Sequence, residues 1–313
     1  MIKFEIANGQ IKGGRDYQDD YFSLVPDVSE EKACLFLLAD GMGGYSGGAI
    51  ASKTIIENFK IYFKKYLQDK QEPKDALNNA LLSSNRALER TKKEKPEHKQ
   101  MGATLIALYL TDKKAYWVSV GDSPLWLIRD GEKIRRVNQN HSIAGLLKLQ
   151  YENGEITKEE MQNATNKHML TSAITGEELN LVDLNELKLK DGDIFILASD
   201  GIETLQEDRV ENIVKSSKNS KEATQEILNA ITKAEVPNQD NATLVIIKSE
   251  ILTQQSQTTT PMNKREATET KDKESITKEQ KGLNGSFIII SILLFIAIVA
   301  IVALFFTKIS LKG

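Results

Sequence analysis

The sequence predicts an α+β protein in which antiparallel strands are segregated from paired helices, with a separate apolar segment near the C-terminus. Three observations predict it. Strand-like runs at 103–110, 115–120, 125–129 and 134–137 follow one another with only turns between them, which argues for antiparallel meander pairing rather than βαβ crossovers. Apolar residues at helical spacing fill two adjacent stretches: Ala51, Ile55, Phe59, Tyr62, Phe63 and Tyr66, then Leu77, Leu81 and Leu88. Residues 285–307 carry no charge and are almost wholly aliphatic or Phe.

Taken in order, Phe4, Ile6 and Ile11 with intervening polar residues mark an opening strand or hairpin. Residues 13–20 (GGRDYQDD) form a polar, acid-rich turn, and 21–25 a further strand. Residues 35–39 are an unbroken apolar run, the pattern of a strand buried on both faces. The run ends in Asp40, and Gly41, Gly43, Gly44, Gly47 and Gly48 follow before a helical pattern begins near Ala49. Pro73 opens the second helix, and the pair is expected to form a helical hairpin covering a sheet. Residues 92–99 are charged and contain Pro96, so they read as a loop. Turns at 112–113 and 130–131 separate the central strands. Residues 142–175 are polar and helix-leaning, an excursion outside the sheets. Strands at 184–189 and 194–198 are joined by 190–193, short helices fill 209–216 and 221–233, and 242–248 is the last strand.

The chain of 313 residues thus divides into a domain over 1–248, a linker over 249–284 rich in Thr, Gln, Ser, Lys and Glu, a transmembrane helix over 285–307, and a short tail over 308–313. Lys264, Arg265, Lys271, Lys273, Lys278 and Lys281 precede the span, while Lys308 and Lys312 follow it. That bias places the N-terminal domain in the cytoplasm, a C-terminal single-pass anchor. Residues 1–10 lack a basic start followed by an apolar core, so no secretory signal is expected. The net charge of −3 offers no basic field for nucleic acid. Cys34 is the only cysteine, which excludes an intrachain disulfide.

Aspartate recurs at strand boundaries. Besides Asp40, a second apolar run ends in Asp200–Gly201, a third in Gly121–Asp122, Asp20 lies in the acidic turn, and Asp240 precedes the last strand. Strand ends gathered at one rim would crowd these carboxylates and raise their pKa values unless cations bind. Oxygen donors without a His or Cys cluster suit Mg²⁺ or Mn²⁺. Asp-Gly alone is also a turn signature. Hairpin turns lead into another strand, however, whereas helix-like segments follow Asp40 and Asp200. Arg15, in the same turn as Asp20, suits a phosphate's outer oxygens, and equally a local ion pair.

The motifs RDYQDD (15–20), ADGMGG (39–44), GAT (102–104), VGDS (120–123), LASDGI (197–202) and QDNAT (239–243), in this order, resemble the PPM family of metal-dependent Ser/Thr protein phosphatases, also called protein phosphatase 2C. NHS (140–142), GEIT (154–157) and HMLTSAI (168–174) are similar to its bacterial members. The resemblance covers residues 1–248 and implies a β-sandwich of two antiparallel sheets flanked by helical pairs, in α-β-β-α layers, with a flap at 142–175. It implies two Mg²⁺ or Mn²⁺ ions bridged by Asp40, with the Gly41 carbonyl, Asp200 and Asp240 completing one shell. Asp20 would support the second ion directly or through water, with Asp19 in the water network, and Asp122 matches a carboxylate that in some members helps hold a third ion. Arg15 would bind the phosphate. The implied reaction is hydrolysis of phosphoserine or phosphothreonine in protein substrates by a metal-bridging hydroxide, opposing a Ser/Thr kinase. Gln18, Asp19, Pro124, Asn140 and Ser172 depart from the family's usual residues. A non-catalytic phosphoprotein-binding scaffold would have lost the metal carboxylates, which are present here. A small-molecule phosphatase on the same fold is the other alternative.

Overall fold

The computed structural model describes residues 2–26, 33–44 and 46–251. Two five-stranded antiparallel sheets form the centre. The strands are β1 (Ile2–Ile11), β2 (Tyr21–Pro26), β3 (Cys34–Ala39), β4 (Gly41–Met42), β5 (Gly102–Ala103), β6 (Leu105–Leu110), β7 (Lys114–Val120), β8 (Leu125–Ile128), β9 (Arg135–Arg136), β10 (Asp183–Lys188), β11 (Ile194–Ala198) and β12 (Ala242–Ile251). One sheet runs β1-β12-β11-β8-β9 and the other β10-β7-β6-β3-β2, while β4 pairs with β5. The helices are α1 (Gly47–Gln68), α2 (Pro73–Glu94), α3 (Ile143–Glu152), α4 (Lys158–Asn163), α5 (Glu207–Ser216) and α6 (Ser220–Lys233).

Three apolar layers explain why the central strands lack polar alternation. In β3, Leu35, Leu37 and Ala39 face α1 and α2 beside Ile55, Phe59 and Leu81. Phe36 and Leu38 face the other sheet, packing with Phe195, Leu197, Val245 and Ile247. Ile196, Ala198, Leu244 and Ile246 then meet Ile227 and Ile231 of α6 on the far side. The result is an α-β-β-α sandwich.

The central strands do not form one continuous meander. β6 pairs with β7 and β8 with β9, but the chain changes sheets between β7 and β8, at residues 121–124. It changes again between β10 and β11. The alternation of a strand fixes which faces are buried, not which sheet it joins. β1 is a single ten-residue strand laid along β12, not a hairpin. The expected loop at 92–99 is helical through Glu94, because Thr91, Lys92 and Lys93 continue α2 before Pro96. The strand expected over 103–110 is interrupted at Thr104, whose groups turn to Asp40.

β12 continues to Ile251, past the expected boundary at 248, because Ser249 is buried opposite Phe4 and its hydroxyl donates to Lys190 O at 2.9 Å. The rest of the expected linker, the span over 285–307 and the tail lie outside the described residues. Among the described residues no helix is long and apolar enough to cross a membrane.

Candidate active site

Antiparallel register brings the motif-bearing strand ends to one rim. Ala39 at the end of β3 is opposite Tyr21 at the start of β2. Val120 ends β7 opposite Leu105. Ala198 ends β11 opposite Leu244, and Ile11 ends β1 opposite Ala242. The residues just beyond these ends line a single cavity of about 550 Å³: Arg15, Asp19, Asp40, Gly41, Thr104, Asp122, Asp200 and Asp240, together with Met42, Gly43 and Gly44.

Each carboxylate is held locally. Asp40 N–H donates to Thr104 Oγ1 at 3.0 Å. Asp200 opens a 3₁₀ turn over Asp200–Thr204. Gln239 binds that turn twice, accepting from Thr204 Oγ1 at 2.6 Å and donating to Gly201 O at 3.1 Å. The loop carrying Arg15 and Asp19 is clamped by buried Asn241, whose Nδ2 donates to the carbonyls of Lys12 (2.8 Å) and Tyr17 (2.9 Å), while its Oδ1 accepts from Asp19 N at 2.7 Å. α1 begins after Ser46 in a left-handed conformation with no side-chain cap of its own. Asp19 supplies one, its Oδ1 accepting from Ala49 N at 2.9 Å. Gly41 lies so close to the main chain of Gly48 and Asp19 that any Cβ there would collide with them.

Burial and mutual repulsion set the electrostatics. Burial, then the charges of Asp20, Asp200, Asp240 and Asp122, push the Asp40 carboxyl well above the ordinary range. Asp122 is pushed up to about 7, first by burial and then by Asp200. Asp200 is raised by burial and Asp240, against a lowering hydrogen bond with Asp40. Asp19 is raised chiefly by burial, with the Ala49 N–H acting against it. Asp240 is the more open acid, and its Oδ2 is held by Arg15 Nη2.

The structure separates the neighbouring acids Asp19 and Asp20. Asp19 faces the cavity. Asp20 sits behind it, only 4% exposed, accepting from Ser199 Oγ at 2.7 Å, and is pushed up to about 7 mainly by burial. Sequence reasoning also left His168 without a role, yet His168 and Leu170 bring the flap to the cavity wall. It missed Thr104 and Asn241 as supports, although both lie inside the quoted GAT and QDNAT motifs. The His98 imidazole occupies the space beside Gly47, where an added Cβ would stand 3.5 Å from its Nδ1.

The donor set fits hard divalent cations. All the cavity's acidic groups are oxygen donors, and the buried oxygens Asp20 Oδ1 and Asp200 Oδ1 have no hydrogen-bond partner. Neutralising charge is what this group of raised carboxyls lacks. Among the described residues no three His, Cys, Asp or Glu side chains form a ready-made metal cluster.

An acidic rim cavity on an α-β-β-α sandwich, with a guanidinium at its mouth, is the architecture of an enzyme acting on phosphate esters. The chain belongs to the protein phosphatase 2C family: residues 8–264 match the family profile described as Protein phosphatase 2C, and it is an enzyme of that phosphatase class. Among its relatives, the protein phosphatase PhpP of Streptococcus pneumoniae is 28% identical over 190 residues, covering 60% of this chain and 72% of that protein. The serine/threonine phosphatase stp of Listeria innocua is 26% identical over 228 residues, covering 72% of this chain and 88% of that protein. The fold is that of the Mycobacterium tuberculosis serine/threonine phosphatase PstP, with a TM-score of 0.67 at 23% identity over 80% of this chain and all of that one. The PstP catalytic domain is also known in complex with 2 manganese ions, and that structure matches with a TM-score of 0.65.

Proposed function

We propose that this chain hydrolyses phosphoserine and phosphothreonine in proteins and depends on two Mg²⁺ or Mn²⁺ ions for it. The observation that carries the reading is the gathering of Asp19, Asp40, Asp122, Asp200 and Asp240 with Arg15 around one cavity. The manganese bound by PstP supports the choice of ion. Asp40, the Gly41 carbonyl, Asp200 and Asp240 would hold the ions, Asp19 would contribute from beside Gly41, and Asp122 offers an edge for a third. Asp20 supports from behind. Ions bound there supply charge to the phosphoryl oxygens and lower the pKa of an attacking water.

The chain's own groups do the rest. Arg15 is more than half exposed at the mouth, and its fork is placed to exchange Asp240 for the outer oxygens of a phosphate. Thr104 fixes the main chain of Asp40, so the Asp40 carboxylate keeps its direction as charge shifts in the cavity. His168 and Leu170 supply a wall that a phosphopeptide must pass. Cys34 is no nucleophile: it starts β3, at the end opposite Asp40, and burial pushes its thiol up to about 11.

The uncharged, apolar residues 285–307 support a single-pass membrane tether, and the excess of Lys and Arg before them supports a cytoplasmic catalytic domain. A Ser/Thr kinase is the natural opponent of such an enzyme. The test is turnover. The purified protein should release phosphate from a phosphothreonine peptide with Mn²⁺, faster than from free phosphometabolites, and lose that activity in EDTA or as Asp40→Asn. Undiminished turnover in EDTA overturns the reading.

A further inference from the structure

Asp122 lies in the four-residue crossing between the two sheets, and the side chains that hold this crossing come from Thr104, from β9 and from the residues after it. Gly121 has φ +103° and a Cβ there would stand 2.6 Å from Thr104 Cγ2, so the crossing is pressed against Thr104. Buried His141 takes both main-chain groups of the same residue: its Nδ1 accepts from Gly121 N at 3.2 Å, and its own main-chain N–H donates to Gly121 O at 3.0 Å. Arg136 grips the next residues. Its Nη2 donates to Asp122 O at 2.7 Å and to Ser123 O at 3.1 Å, and its Nε donates to Asn138 Oδ1 at 3.0 Å. Asn138 in turn donates to Ser123 O at 3.0 Å and accepts from Leu125 N at 2.8 Å. The Arg136 side chain is only 15% exposed, and its one acidic neighbour among the ion pairs, Glu203, stands off at 3.9 Å. A guanidinium buried at that cost, with one nitrogen spent on two main-chain carbonyls and another on the Asn138 amide instead of on a carboxylate, is committed to fixing backbone. Pro124 ends the crossing without an N–H to contribute.

We propose that Arg136 is a positioning residue for the Asp122 edge of the metal site: its Nη2 holds the carbonyls of Asp122 and Ser123 so that the Asp122 carboxylate faces the cavity, and cation affinity at that edge depends on it. This rests on the metal-dependent reading above. Outer partners that orient a ligand typically change metal affinity by about 10- to 100-fold when removed.

The experiment is a Mn²⁺ titration of the full-length protein, with free Mn²⁺ followed by its paramagnetic resonance signal and folding checked by circular dichroism. Arg136→Met should weaken the weakest wild-type site by about tenfold and leave the tighter ions within about twofold. Arg136→Lys keeps the charge and a donor for the carbonyls but not the planar group that also reaches Asn138 through Nε, and should give a smaller weakening of the same site. Arg135→Ala, on the exposed neighbour, should match wild type. In an Asp122→Asn background, Arg136→Met should add almost nothing. A folded Arg136→Met protein with the wild-type isotherm overturns the proposal. So does a weakening that persists undiminished with Asp122→Asn, which would mean a general structural role. If Arg136→Met does not fold, a wild-type isotherm for Arg136→Lys overturns it. Wild-type protein that binds no Mn²⁺ instead overturns the metal-dependent reading itself.

Discussion

Asp40 and Thr104 are bonded to each other twice across the rim: Asp40 N–H donates to Thr104 Oγ1 at 3.0 Å, and Thr104 N–H donates to the Asp40 carbonyl at 2.9 Å. The Thr104 hydroxyl also lies 2.7 Å from Ser123 Oγ, one residue from Asp122. A single hydroxyl therefore links two of the acidic strand ends, and it interrupts the strand between β5 and β6 to do so. Thr104→Val keeps the shape and strands the Asp40 N–H. It should cost about 1–3 kcal/mol of stability and lower kcat by about tenfold with little change in KM, as expected when a ligand loses its orientation. Thr104→Ser should recover most of the rate. Steady-state kinetics beside thermal denaturation would show this, and a wild-type kcat for Thr104→Val would remove Thr104 from the site.

Arg15 makes a different prediction because it is exposed and its partner is an acid of the site itself. Removing it should not harm the fold, since an exposed ion pair adds little stability. Arg15→Ala should lower kcat/KM by about 10- to 100-fold, the worth of a charge-assisted pair to phosphate, and weaken inhibition by inorganic phosphate in parallel. Arg15→Lys should recover only part, having a point charge in place of a fork. Unchanged phosphate inhibition in Arg15→Ala would make the residue a plain partner of Asp240.

Gly41 tests how tightly the acidic turn and α1 are pressed together. A methyl group there collides with main-chain atoms of Gly48 and Asp19, none of which can swing aside as a side chain would. Gly41→Ala should therefore lower stability by about 3 kcal/mol and abolish turnover. Gly44→Ala is the contrast: nothing stands near its Cβ, and only its positive φ of 61° opposes the change, so it should cost about 1 kcal/mol. Chemical denaturation of both variants measures the difference. Equal costs would mean that the close approach does not govern this turn.

Much of this was legible from residues alone, for physical reasons that differ by element. β3 and β11 read as buried strands because both of their faces meet apolar layers, Leu35 and Leu37 on one side, Phe36 and Leu38 on the other. Aspartates at the ends of such strands stood out because nothing in an apolar run explains them. What the sequence did not carry was partner choice: β8 follows β7 after a four-residue crossing yet joins the other sheet, and the alternation of the strands is the same either way. The resemblance gave Asp20 the second ion and Asp19 the water network, but adjacency alone does not say which of the two faces the cavity, since the group that takes Asp20 inward is Ser199, 179 residues away. Arg136 is one of a pair of consecutive arginines, and only the packed structure distinguishes it from exposed Arg135.

The raised carboxyls predict a pH dependence whose sign depends on metal. Asp20 and Asp122 have an ordinary value of 3.8 and are pushed up to about 7 in the folded chain, burial being the largest cause for both. Asp40 and Asp200 move in the same direction, again with burial first. A carboxyl whose folded pKa exceeds its unfolded one costs stability when it ionises, because between the two values the unfolded chain has released a proton that the folded chain retains. The cost is absent below about 3.8, grows as pH rises, and is complete above about 7. Protein stripped with EDTA should therefore lose a few kcal/mol of stability from about pH 4 to about pH 7. Asp20→Asn, which cannot ionise, should flatten that decline. Saturating Mn²⁺ should abolish or invert it, since cations bind the ionised form and their affinity rises with pH. Urea denaturation midpoints with and without Mn²⁺ measure both slopes. Metal-free stability that is flat or rises over this range would contradict the clustering of buried carboxylates at the rim.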